Sequence, residues 1–201
     1  MLYIIRHGQT ANNKKKLLQG RSDTPLNEEG IRQAKMAADW FADQGIRFAK
    51  VYSSPLRRAV ETAKVVGGPE STILIDERLI EMDYGPYEGM DLANPHPEII
   101  RFFSDFVNQK APEGMESLDS VTKRLGLFLE EIVTEAENEN VLVSTHAIAE
   151  KGALEYLSPE SGGSYWSKYI GNCTIYAAEV VNGKYSVPFE LWSLPGGEPG
   201  C

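Results

Sequence analysis

His7 follows Arg6 and precedes Gly8, with Thr10 and Asn13 close behind. This short stretch holds a cation, a potential nucleophile, a permissive glycine and two polar side chains. Those types suit a phosphoryl group. Arginine offers a planar fork of donors, glycine lets the backbone come close, and asparagine adds a neutral donor. The plain alternative is a solvated loop. A second stretch, Ser53 to Ala63, places Arg57 and Arg58 in the first turn of a helix that follows a strand. Helix amino termini already favour anions, and a cation gains little from the dipole there, so an anionic ligand is the simplest reason for arginine at that position. The alternative is a surface Arg57 and a snorkelling Arg58. Of the three histidines, His7 and His146 each come directly after a strand-like run, whereas His96, between Pro95 and Pro97, reads as a structural loop residue.

The elements that must position these residues follow from hydrophobic spacing. Leu2 to Ile5 reads as a buried strand ending at Arg6 and His7. Asn27 reads as the N-cap of a helix with acids in its first turn and Ile31, Ala34, Ala38 and Phe41 on its apolar face, ended by Gly45. Lys50 to Ser53 reads as a strand, followed by a helix with Ser54 as N-cap, Pro55 in the first turn and Ala59, Ala63 and Val66 inward. Thr72 to Ile75 is a short third strand. Ser117 opens a long helix with Leu118, Val121, Leu125, Phe128 and Ile132 on its core face. Asn140 to Thr145 is a fourth strand, and Ala147 to Tyr156 a helix directly after His146. Thr174 to Val181 and Lys184 to Leu191 read as a hairpin around a type I′ turn at Asn182 and Gly183. Alternating strands and helices predict an α/β class protein: a three-layer α/β/α sandwich with a mostly parallel central sheet, whose ligands bind at the carboxyl ends of the strands.

Length and composition narrow the classes. With 201 residues, the chain fits one domain over 1–201, and 42% hydrophobic with 24% charged residues is ordinary for a folded protein. Lys and Arg number 20 against 29 Asp and Glu, a net charge of −9. A field of that sign repels nucleic acid but leaves room for one cleft made positive by converging arginines. Cys173 and Cys201 are too far apart to suggest a disulfide framework or a metal motif. The apolar run at the start is too short for a signal peptide or a membrane span, so the expectation is a cytoplasmic protein with no membrane partner.

Arg6-His7-Gly8-Gln9-Thr10 with Asn13, the Ser53 to Ala63 segment, Glu81 before Tyr84-Gly85 with Glu88-Gly89, and His146 together resemble the histidine phosphatase superfamily, the phosphoglycerate mutase-like family. Four separated motifs in the right order carry the resemblance, which runs from the first residues to about the hairpin. It implies that His7 accepts the phosphoryl group, giving a phosphohistidine. It implies that Arg6, Arg58 and His146 surround that phosphate, and that Asn13, Gln19, Gly20 and the Ala147 amide help bind it. Arg58, not Arg57, is the matching arginine, because it immediately precedes the alanine of the SxxxxRAxxT pattern. Glu81 matches the acid that protonates the leaving alkoxide and then helps water attack. Glu88 is expected to be an exposed loop acid. No metal and no cofactor is expected, since arginines take the place of a metal's charge and no HxH or HExxH pattern is present.

After His146, where many relatives carry glycines, this chain reads Ala147-Ile148-Ala149-Glu150-Lys151, with Lys151 facing either pocket or solvent. Phosphatase and mutase differ in whether water or a bound phosphoglycerate receives the phosphoryl group. The segment between Gly89 and Glu113 is short, and the Pro- and Gly-rich tail from Ser193 to Cys201 reads as frayed rather than as a lid, so a phosphatase is favoured over a cofactor-dependent phosphoglycerate mutase. A catalytically silent phospho-ligand binder is a further alternative. The substrate expected is a small phosphorylated metabolite. A cap-like segment at about 90–112, with Asp91, His96, Arg101, Phe102 and Phe103, covers the cleft or packs as core. Tyr165, Trp166 and Tyr169 are either core or a patch through which a homodimer could form.

Overall fold

A computed structural model describes residues 1–195. Strands β1 (Leu2–Arg6), β2 (Lys50–Ser53), β3 (Ile73–Ile75) and β4 (Val141–Thr145) run parallel to one another. β5 (Ile175–Ala178) pairs antiparallel with β1. Beyond it, β6 (Val180–Val181) and β7 (Lys184–Tyr185) make a small separate hairpin, and β8 (Phe189–Trp192) returns to pair with β5. The order across the main sheet is β3-β2-β4-β1-β5-β8. Helices are α1 (Ala11–Lys14), α2 (Glu28–Asp43), α3 (Arg57–Gly67), α4 (Pro97–Ser104), α5 (Leu118–Asn138) and α6 (Ala147–Leu157).

The alternation of β1 divides the core. Leu2 and Ile4 pack with Val121, Leu125 and Phe128 of α5 and Ala149 and Ala153 of α6. Tyr3 and Ile5 pack on the other face with Ala34, Ala37 and Phe41 of α2 and Ala63 and Val66 of α3. A strand apolar on both faces must be covered on both, and this gives the three-layer sandwich expected from the alternating elements. Because β2, β4 and β1 are neighbours and parallel, their carboxyl ends open side by side at one edge of the sheet.

Several local expectations need correction. The helix after β2 begins at Arg57 with Leu56 as its cap, so Ser54 is not the N-cap; its hydroxyl oxygen accepts the Leu56 amide at 3.4 Å in the turn before the helix. The buried face of α2 is Gly30, Gln33, Ala34, Ala37 and Phe41, whereas Ile31 is 40% exposed. The face turns because the backbone after His7 lies against the start of α2: a Cβ on Gly8 would come within 2.4 Å of the Gly30 carbonyl oxygen, and the Gln9 amide donates to Gln33 at 2.8 Å. The hairpin forms around Asn182 and Gly183, both at positive φ as a type I′ turn requires, but its strands are interrupted between β5 and β6 and between β7 and β8. Tyr165 and Trp166 are buried, while Tyr169 is 48% exposed. Phe102 is buried in the core, Phe103 packs against it and Arg101 faces outward. The tail from Gly196, with Cys201, lies outside the described residues.

Candidate active site

Each strand end contributes one part. His7 follows β1, Ser54 follows β2, and His146 follows β4 and caps α6. Arg58, in the first turn of α3, reaches back to both histidines. Its Nε lies 3.2 Å from His7 Nε2 and 3.2 Å from His146 Nδ1. A guanidinium only donates, so both ring nitrogens it faces are acceptors and unprotonated. The ring protons therefore sit on the far sides. His7 Nδ1 donates to the Gly8 carbonyl at 2.7 Å, and His146 Nε2 donates to Ser54 Oγ at 2.7 Å. This network fixes the tautomers of both rings and leaves His7 Nε2 with a lone pair at the strand ends.

Electrostatics favour the same state. Burial, then the charges of Arg58 and Arg6, hold His7 well below the usual imidazole range. Burial, then Arg58, hold His146 well below it too. Both rings are neutral near pH 7, as a nucleophile requires. Arg58 is fully buried, and burial lowers its own value to about 10. Its terminal nitrogens donate to the Ser22 carbonyl at 2.7 Å and the Gly20 carbonyl at 2.6 Å, which leaves each with one further N–H.

The loop that receives Arg58 is pinned by an unexpected residue. Glu88 accepts the backbone amides of Gly20 at 3.0 Å, Arg21 at 3.2 Å and Ser22 at 3.3 Å. It is not an exposed loop acid, because three converging amides draw the carboxylate inward. Glu81 is buried, and its carboxylate accepts the amides of Met82 at 2.8 Å, Ile148 at 3.2 Å and Ala149 at 3.0 Å. These contacts anchor its side chain against the first turn of α6. The Ala147 amide beside it, at the first position of α6, has no intrahelical partner.

The remaining expected residues divide. Arg6 acts electrostatically on both histidines, with one terminal nitrogen donating to the Ile170 carbonyl and a buried Nε that has no partner. Asn13 uses Oδ1 to accept the Thr10 amide at 3.1 Å, which leaves its side-chain nitrogen as the group able to donate. Gln19 is engaged elsewhere, since its oxygen accepts from Thr10 Oγ1 at 2.7 Å and its nitrogen donates to Thr24. Gly20 contributes its carbonyl to Arg58 rather than its amide to a ligand. Arg57 is 59% exposed beside Glu61, and His96 caps α4.

Sequence reasoning passed over Ser54, Asn172 and Glu150. Asn172 donates to the His7 carbonyl at 2.9 Å. Glu150 is fully buried with neither carboxyl oxygen partnered, and burial holds its carboxyl well above the usual range. Ser54 had a signal, since it follows its strand as His7 and His146 follow theirs; the other two had none. Among the described residues no three His, Cys, Asp or Glu side chains are placed to share a metal ion.

Two neutral histidines, the buried Arg58, the half-buried Arg6 and the anchored Glu81 side chain are thus gathered near the strand ends. "Putative phosphoserine phosphatase 2" of Hydrogenobacter thermophilus is 35% identical over 87% of this chain and 86% of its own. A bifunctional protein of Mycobacterium tuberculosis is 31% identical over 89% of this chain, which spans only 50% of that longer protein. The crystal structure of a phosphoserine phosphatase mutant from Entamoeba histolytica in complex with phosphoserine superposes with a TM-score of 0.79 at 25% identity, covering 92% of this chain and 93% of that one. The family model of the histidine phosphatase superfamily, branch 1, matches residues 2–189, and the chain belongs to that superfamily.

Proposed function

We propose that the protein is a metal-independent phosphatase that hydrolyses small phosphomonoesters through a phosphohistidine on His7. The observation that carries this reading is the single Arg58 N–H shared between His7 Nε2 and His146 Nδ1, which holds the nucleophile neutral, in the correct tautomer and beside a fixed cation. In the first step the Nε2 lone pair attacks phosphorus as the ester P–O bond breaks. The Glu81 carboxylic acid gives its proton to the leaving alkoxide. In the second step Glu81, now a carboxylate, takes a proton from water as the water oxygen attacks phosphorus, and the P–N bond breaks to release phosphate and free His7. The remaining N–H groups of Arg58, with Arg6, Asn13 and the Ala147 amide, stabilise the charge on the transferring oxygens.

The segment at 90–112 serves in this reading as a small cap over the cleft, with α4 fixed in the core by Ile99 and Phe102. The test is phosphate release from a panel of phosphomonoesters in the presence of chelator, with conversion between 2- and 3-phosphoglycerate scored in parallel. Release by the native protein and none by His7→Ala supports the phosphatase. Isomerisation with little release would make the protein a mutase, and turnover of neither kind would make it a phospho-ligand binder.

A further inference from the structure

Lys151 lies on α6 one turn beyond Ala147, and helical side chains lean toward the helix amino terminus, so its stem runs back toward the end that carries His146. Its amine donates to the Trp166 carbonyl at 2.8 Å and lies 5.4 Å from the centroid of the Phe106 ring. Phe106 follows α4 and packs on the core beside Phe102 and Trp166, so one side of the amine faces this aromatic group. Among the described residues no carboxylate lies within ion-pair distance of it. An ammonium has three N–H donors, and the Trp166 carbonyl accepts from one. Burial pushes the amine down to about 8, Arg6 adds to that and Glu81 opposes it, so both site charges are within its electrostatic reach. A largely buried cation without a counter-ion is costly unless a ligand supplies one.

We propose that Lys151 is a specificity-determining residue that holds a carboxylate on the leaving alcohol, so that the preferred ester is the phosphate of a hydroxy acid. One cation with two free donors matches the single charge and two oxygens of a carboxylate; a second phosphate would call for more charge and for an arginine fork. The inference rests on the phosphatase reading for the orientation of the ester, with its phosphate on His7 and its alcohol toward Lys151.

The test compares 3-phosphoglycerate with glycerol 3-phosphate, which differ at the carboxylate, by calorimetric binding to His7→Ala and to the same protein carrying Lys151→Met or Lys151→Gln. Glutamine keeps a donor for the Trp166 carbonyl while removing the charge. Loss of a charged hydrogen bond corresponds to about a 10- to 100-fold drop in the preference for the carboxylated ester, expected in both variants. An unchanged preference, or no preference with Lys151 present, would overturn the assignment. Should the native protein hydrolyse neither ester while the preference still falls in both variants, the phosphatase reading fails and the assignment of Lys151 stands.

Discussion

His7 Nε2 receives a hydrogen bond from Arg58 Nε at 3.2 Å, while its other ring nitrogen donates to the Gly8 carbonyl at 2.7 Å. The imidazole is thus held between a fixed cation and a backbone acceptor. The cation makes a second proton on the ring unfavourable, and the acceptor keeps the one proton on the side away from the cleft.

The pH dependence of the reaction follows from that pair. A protonated imidazole cannot attack, so the rate falls as pH drops through the His7 value, which burial, Arg58 and Arg6 hold well below 6.5. The acid limb of kcat/KM in the native protein is expected well below pH 6.5. In Arg58→Met one of those charges is gone, and the His7 titration followed by NMR is expected to move upward. An acid limb at or above 6.5 in the native protein would contradict the arrangement.

Glu81→Gln keeps the shape of the side chain and removes the proton transfer in both steps. General acid–base groups contribute about 10²- to 10⁴-fold, so phosphate release is expected to slow by that order. Rapid-quench analysis would show whether phosphohistidine builds up, as a blocked second step requires. A variant releasing phosphate at the native rate would remove Glu81 from the chemistry.

Glu88→Ala leaves three amides of the 20–22 loop without their common acceptor, at about 1–3 kcal/mol for each buried group that finds no water. The same loop supplies both carbonyls that orient Arg58. The expected result is a raised KM for the phosphomonoester with a smaller change in kcat, and a KM equal to the native value would show that the loop holds without Glu88.

Glu150 is expected to cost stability. Burial raises its folded value well above 4.5, so the folded state resists ionisation that the unfolded chain undergoes freely. The cost is absent below about pH 4.5 and grows as pH rises toward the folded value. Glu150→Leu also removes two unpartnered buried oxygens, worth about 1–3 kcal/mol. Urea unfolding at pH 4.5 and pH 8 is expected to show the variant gaining on the native protein, by more at pH 8. An equal gap at the two pH values would contradict the burial argument.

The strand–turn–helix units were legible because they rest on local signals: the apolar run before His7, the proline-containing turn before Arg58, the apolar run before His146. Parallel pairing of β1, β4 and β2 then brings these distant stretches together, and no spacing along the chain shows that order. The role of Glu88 was not legible, because its partners are backbone amides and carry no residue type. The Ser54 cap was misplaced because Pro55 suits a first helical turn equally well as the turn that actually precedes Arg57. Gln19 has a side chain suited to phosphate, and only the fold shows Thr10 and Thr24 occupying it.

The most direct test of the account is to quench the native protein during turnover of a phosphomonoester, keep the digest at alkaline pH where phosphohistidine survives, and locate the phosphate by mass spectrometry. The account expects phosphate on the peptide containing His7 and none in His7→Ala. Sustained hydrolysis by His7→Ala, or phosphate trapped on another residue, would contradict it.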